Sequence, residues 1–194
     1  DTATPKEKIY VDSLRDDYNI TFMHTPAYLE ESVKLMLHMI PNMKKLIFLG
    51  DGIYPNPEYN KQLQDIVNQK YPFLQYQFIS SYNYTLPELY DALRNADKET
   101  GILTSTWFTE TLTSKKMLIN AYRSLSSIAA PLFSIRYAGM DDGGMVGGYM
   151  YNEKLFINEL FKKIQQILNG KPARAIPFFS PTNAHPTFNY MTLT

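Results

Sequence analysis

The sequence predicts an α/β fold, a doubly wound and mostly parallel sheet of Rossmann-like type. Three observations predict it. Short apolar runs alternate with amphipathic stretches, the loops between them are short, and no internal repeat or low-complexity segment interrupts the order. With 194 residues, 44% hydrophobic and 20% charged, the chain has material for one substantial core and reads as globular.

Each element has a local reason. Tyr18–His24 is strand-like, and Thr25-Pro26 supplies an N-cap and a first-turn proline for a helix to about Met39, ended by Pro41. Lys45–Gly50 (KLIFLG) is a continuous apolar run, as expected of a strand covered on both faces. Asn56-Pro57 opens a second helix to about Lys70, and Leu74–Ser80 is the next strand. Thr85 and Glu88 have capping-box spacing and start a helix to about Ala96. Gly101–Ser105 and Pro131–Ile135 read as strands, with a helix over 112–127 between them. A glycine-rich loop spans Gly139–Gly148. The last helix, over 153–169, repeats Leu155, Ile157, Leu160, Phe161, Ile164, Ile167 and Leu168 at helical spacing, and Gly170 and Pro172 stop it. One or two edge strands are expected after Lys171.

Lys+Arg and Asp+Glu number 19 each, so no basic surface recommends a nucleic-acid partner. No apolar run approaches the roughly 18 residues of a membrane span. Cysteine is absent, which removes disulfides, thiolate metal sites and cysteine nucleophiles. The chain begins at Asp1 rather than Met, as a mature product or an excised piece does.

In a doubly wound sheet, ligands bind beyond the carboxyl ends of the strands. The loops expected there carry Asp51, Tyr54, Tyr82, Trp107, Tyr137, Asp142 and Gly144, and these are the candidate ligand contacts. Asp51 offers a carboxylate to an amine or hydroxyl, and the rings offer faces for stacking. Loop rings packed on neighbouring helices are the alternative for Trp107 and Tyr137. The glycine-rich segment lacks both GxxxxGK[ST] and GxGxxG, so a tight turn is preferred over a phosphate cradle. His24, His38 and His185 have no partner at metal-ligand spacing, and no GxSxG elbow appears. Hence no catalytic residue, metal or cofactor is expected. An enzyme working through Asp51 or His24 is the least favoured reading.

The order of motifs resembles a family. Ile40-Pro41-Asn42-Met43-Lys44-Lys45-Leu46-Ile47-Phe48-Leu49-Gly50-Asp51 resembles the entry to the second lobe of type I periplasmic-binding-protein folds. Pro131-Leu132-Phe133-Ser134, Gly143–Tyr149, Ile167–Pro177 and Pro186–Leu193 resemble later segments of the same lobe. The likeness is to the ABC-transporter substrate-binding-like group and to extracytoplasmic sensor domains of bacterial (hybrid) histidine kinases. It covers roughly residues 26–193.

The resemblance implies a leader or hinge remnant over 1–25 and a ligand-binding lobe over 26–194. It implies a non-catalytic, small-molecule-sensing domain of a two-component signalling protein, held in the periplasm by an inner-membrane parent. The solute-binding component of an ABC importer is the alternative. Either role implies a small-molecule ligand and a missing first lobe or second protomer, with a homodimer among the options.

Overall fold

The computed structural model describes residues 14–15, 17–107, 109–110, 115–116, 125, 128–137, 140, 144–180 and 183–192. The chain divides into two compact units, Asp1–Pro26 with Tyr151–Asn183, and Ala27–Met150 with Ala184–Thr194. The elements are α1 (Leu29–Met39), β1 (Lys45–Gly50), α2 (Asn56–Lys70), β2 (Gln75–Ser80), α3 (Leu86–Leu93), β3 (Thr100–Thr104), β4 (Thr109–Glu110), β5 (Lys115–Lys116), β6 (Leu132–Ser134), β7 (Gly147–Tyr151), α4 (Glu153–Leu168) and β8 (Ala184–Phe188). A six-stranded sheet has the order β2-β1-β3-β6-β7-β8. The pairs β1–β2, β1–β3, β3–β6 and β6–β7 are all parallel, so the mixed α/β class expected from the alternation is the one found.

The burial explains why KLIFLG is apolar throughout. Leu46 and Phe48 point into a core with Val33 and Met36 of α1 and Leu63 and Val67 of α2. Ile47 and Leu49 point the other way, into a core with Leu89 and Leu93 of α3. A strand with a helical layer on each face needs an apolar residue at every position. Phe48 stacks on Phe78 of β2 with centroids 5.4 Å apart, which ties the edge strand β2 to its parallel neighbour β1.

The capping box forms at α3. Glu88 Oε2 accepts from the Thr85 amide at 2.7 Å and from the Thr85 hydroxyl at 2.8 Å. These bonds favour the carboxylate and hold Glu88 below its ordinary pKa. A lowered folded-state pKa means the cap is complete above the unfolded value and is lost as pH falls through the folded one. Amide exchange in the first turn of α3 is therefore expected to gain protection losses on acidification that Glu88→Gln does not show. Identical pH profiles for both proteins would contradict this.

Four expectations need correction. The first helix starts at Leu29 rather than at Thr25-Pro26; its N-cap is Tyr28, in the left-handed region at φ 43°, whose carbonyl accepts from the Ser32 amide and hydroxyl, each at 2.9 Å. Tyr18–His24 is reduced to a single bridge, Met23 with Phe179, flanked by backbone bonds of Phe22 and His24 to Phe179, while the Tyr18 and Ile20 amides bond locally to the Leu14 and Tyr18 carbonyls. Most of the helix expected over 112–127 lies outside the described residues, and Lys115–Lys116 within it pair antiparallel with Thr109–Glu110. Thr109 is itself β-branched, which suits an extended backbone. Finally, Gly147 and Gly148 belong to β7 and not to a loop. A Cβ on Gly148 would lie 1.9 Å from the Ser134 carbonyl oxygen and one on Gly147 would lie 2.4 Å from that of Thr187. Glycine is used here for close backbone approach.

The fourth helix runs where its periodicity places it, capped by Asn152, whose Oδ1 accepts from the Leu155 amide at 3.1 Å. Yet none of its residues is buried. Its half-buried side carries Glu159, Lys163 and Gln166. Lys163 Nζ donates to the Pro177 carbonyl at 2.9 Å and lies over the Phe179 ring. The apolar stripe faces outward instead.

Candidate functional site

Strands β1, β2 and β3 run parallel, so their carboxyl ends deliver three loops to one end of the sheet. A short bonding network laces those loops together. The Asp51 amide donates to the Thr106 carbonyl at 2.7 Å. Asp51 Oδ1 accepts from Asn56 Nδ2 at 2.6 Å and from the Ile53 amide at 3.2 Å. Asn56 Nδ2 also donates to Thr106 Oγ1 at 2.9 Å. From the second loop, Ser81 Oγ accepts from the Gly52 amide at 3.3 Å. Asp51, Asn56 and Ser81 are all buried. A buried carboxylate needs such donors, since an unpaired charge in the interior is prohibitive.

Asp51 thus faces inward and organises the turn into α2. Tyr54, three residues on, is 84% exposed. Tyr82 is half-exposed, and its ring lies flat against the Gly52 backbone: a Cβ on Gly52 would sit 1.8 Å from two of its ring carbons. Tyr137, beyond β6, is half-exposed as well. Trp107 is 4% exposed and packed in the core that holds Leu89, Ala130 and Met145. Gly144 adopts φ 67°, a conformation that glycine reaches without strain. Asp142 lies outside the described residues.

The structure therefore gathers Asp51, Tyr54 and Tyr82 on two adjoining, mutually bonded loops. It separates them by role, with the carboxylate inside and the rings outside. Three contributors escaped the sequence reading: Asn56, Thr106 and Ser81. Asn56 was visible only as a helix opener, although an amide five residues after a strand-end Asp is well placed to return to it. Two buried polar atoms near these loops have no hydrogen-bond partner, Asn56 Oδ1 and Trp107 Nε1. Each such group costs about 1–3 kcal/mol unless something pairs with it. Among the described residues, no group of three or more His, Asp or Glu side chains is arranged to hold a metal ion.

Gly52→Ala is expected to push the Tyr82 ring off the β1–α2 loop, because the overlap is with a ring that has a turn on each side of it. Tyr82 N donates to Ser80 Oγ at 3.3 Å, and the Asn83 and Tyr84 amides donate to the Ser80 carbonyl, so the ring has little room to retreat. The measurement is the Gly52 amide proton shift in wild type and the residue-52 amide shift in the variant. Wild type should show the upfield ring-current displacement and the variant should lose it; an unchanged shift refutes the stacking.

A separate open cavity of about 510 Å³ lies at the start of α4, lined in part by Asn152, Phe156, Glu159, Phe179 and Asn183. None of the strand-end residues lines it.

No protein-family model matches the sequence, and no curated protein matches it. Solved structures do resemble it. A conserved domain protein from Vibrio cholerae superposes with a TM-score of 0.69 at 12% identity, over 92% of this chain and 58% of that one. A ligand-free, open substrate-binding protein with adhesive properties from Clostridium difficile gives 0.66 at 12% identity, over 89% and 56%. An ABC domain from Streptococcus pneumonia in complex with L-Trp gives 0.61 at 15% identity, over 89% and 57%. The chain spans less than two thirds of the length of each of these proteins. With about nine tenths of its residues superposed on them, the chain has the α/β fold seen in substrate-binding proteins.

Proposed function

We propose that the chain binds a small organic ligand, without transforming it, at the carboxyl ends of its parallel strands. The observation that carries this reading is the arrangement there: exposed Tyr54 and half-exposed Tyr82 on loops that a buried Asp51–Asn56–Thr106 network holds in place, with half-exposed Tyr137 following β6. The rings supply flat apolar faces with polar tips. Asp51 and Trp107, at 3% and 4% exposure, belong to this set as the buried residues that stiffen the loops from inside. Asp142 and Gly144 complete the proposed set from the glycine-rich segment. The opposing wall of the site comes, in this reading, from a first lobe outside these residues or from a second protomer.

The role we attach to this binding is sensing, as the extracytoplasmic domain of a two-component signalling protein anchored in the inner membrane. The sequence resemblance supports it. The component of an ABC importer that captures solute is the second reading, and the neighbours named as ABC or substrate-binding proteins favour it.

A thermal-shift panel tests the binding itself. The neighbours include proteins with L-Trp or allitol bound and one named for binding arabinose, so the panel holds aromatic amino acids, pentoses, polyols and nucleosides. A ligand at about 100 times its Kd adds roughly 2.7 kcal/mol to stability. At this chain length, where 1 kcal/mol moves Tm by about 2–4 °C, that is on the order of 5–11 °C in Tm. Tyr82→Ala should weaken a hit at least tenfold. A silent panel, or a hit that Tyr54→Ala and Tyr82→Ala leave unchanged, refutes the site.

A further inference from the structure

The outward stripe of α4 has the pattern of a helix–helix seam. Ile157, Leu160, Ile164 and Ile167 follow one another at spacings of three, four and three, and Phe161 and Leu168 flank them. That is the 3.5-residue repeat on which two helices interlock. All six side chains are exposed, from 38% at Leu160 to 79% at Leu168. No charged residue interrupts the line between Ile157 and Leu168; Glu159, Lys162 and Lys163 lie off it. The polar side of the helix is already occupied, as the Lys163 bond to Pro177 shows. Rotating α4 to bury the stripe would therefore strand Glu159 and Lys163.

We propose that this stripe is a homodimer interface, in which α4 packs antiparallel against α4 of a second copy of the chain. The pairing is self-complementary, as a two-fold interface requires: Ile157 meets Ile167 and Leu160 meets Ile164, in both directions, with Phe161 and Leu168 alongside. Antiparallel packing also sets the helix dipoles in opposition. The exposed part of the six residues comes to roughly 600 Å² per copy, so a pair that covers all of it buries about 1,200 Å², which reaches the lower bound for stable protein–protein interfaces. A patch of that size also matches or exceeds the largest apolar patch typical of a monomer, about 300–600 Å².

The test is mass in solution together with a covalent trap. Sedimentation equilibrium of the full chain at concentrations up to about 100 µM should show twice the 22.4 kDa chain mass, with a Kd on the order of micromolar. Ile164→Glu should raise that Kd at least tenfold while leaving the far-ultraviolet circular dichroism unchanged, since the side chain it replaces is exposed in the monomer. The chain has no cysteine, so a single Ile164→Cys variant reports proximity directly. It should link into covalent dimers with a short bis-maleimide, and Lys98→Cys, on an exposed turn of the other unit, should not. A monomer at every concentration overturns the proposal. So does a dimer that Ile164→Glu leaves intact, or equal cross-linking of the two cysteine variants.

Discussion

Asp51→Asn is expected to destabilise the protein by about 2–3 kcal/mol, the range for losing a buried, charge-assisted hydrogen bond. The two side chains have almost the same shape, so the effect is electrostatic. Asp51 is 3% exposed and accepts from both the Asn56 amide group and the Ile53 backbone. An amide in its place carries one acceptor oxygen and no charge. Its NH2 group has to be turned away from Asn56 Nδ2, which is itself a donor. The prediction is read from urea unfolding, as a lower midpoint at unchanged m. The pair Asp51→Asn with Asn56→Asp restores one donor facing one acceptor and should recover part of the loss, since Thr106 Oγ1 is able to donate as well as accept. A single-variant change within about 0.5 kcal/mol would show that the network carries no weight.

Gly148→Ala should cost at least about 3 kcal/mol, beyond the usual range for one added methyl group. The reason is what the methyl would meet. Its nearest neighbour, at 1.9 Å, is the carbonyl oxygen of Ser134, a backbone atom of the adjoining strand. A flexible side chain could turn aside, but a strand within a sheet cannot do so without breaking its ladder. Gly170→Ala is the instructive comparison. Nothing lies within 4 Å of a Cβ there, and the strain comes only from φ 91°. Its cost is expected near 1–2 kcal/mol. Differential scanning calorimetry of both variants separates crowding from backbone conformation, and equal losses would refute the crowding argument.

The parts of the fold legible in the sequence are those whose cause is local. Lys45–Gly50 and Asn56–Lys70 appear with the bounds their patterns predict. The first is a run too apolar to be anything but doubly covered; the second has a proline in its opening turn and a regular stripe. The capping box at Thr85 and Glu88 forms as spelled. Local rules fail where a distant partner decides. Thr25-Pro26 has the composition of a helix start, but the His24 amide is engaged by Phe179, 155 residues away, and the helix waits until Leu29. The glycines at 147 and 148 look like loop residues because the need they answer, the backbone of Ser134 and Thr187, is invisible in their own neighbourhood.

The candidate site shows the same division. Placing Asp51, Tyr54 and Tyr82 at strand ends follows from the alternation alone. Their orientations do not, because which way a strand-end Asp turns depends on a donor at Asn56 and an acceptor at Thr106, one five and the other 55 residues further along. Trp107 is the sharper case. Its position after β3 points to the ligand side, and its packing among Leu89, Ala130 and Met145 places it in the interior.

The lacing of the strand-end loops has a thermodynamic consequence. A recognition surface made of free loops must be ordered when something binds, at roughly 1–2 kcal/mol for each residue whose backbone is fixed. Here the bonds from Asp51 to Thr106, from Asn56 to Asp51 and from Gly52 to Ser81 fix those residues beforehand. The conformational entropy is surrendered during folding, when the cooperative core bears it. Whatever meets Tyr54 and Tyr82 would find a surface already rigid, and its association would carry the small entropic penalty of preorganised recognition.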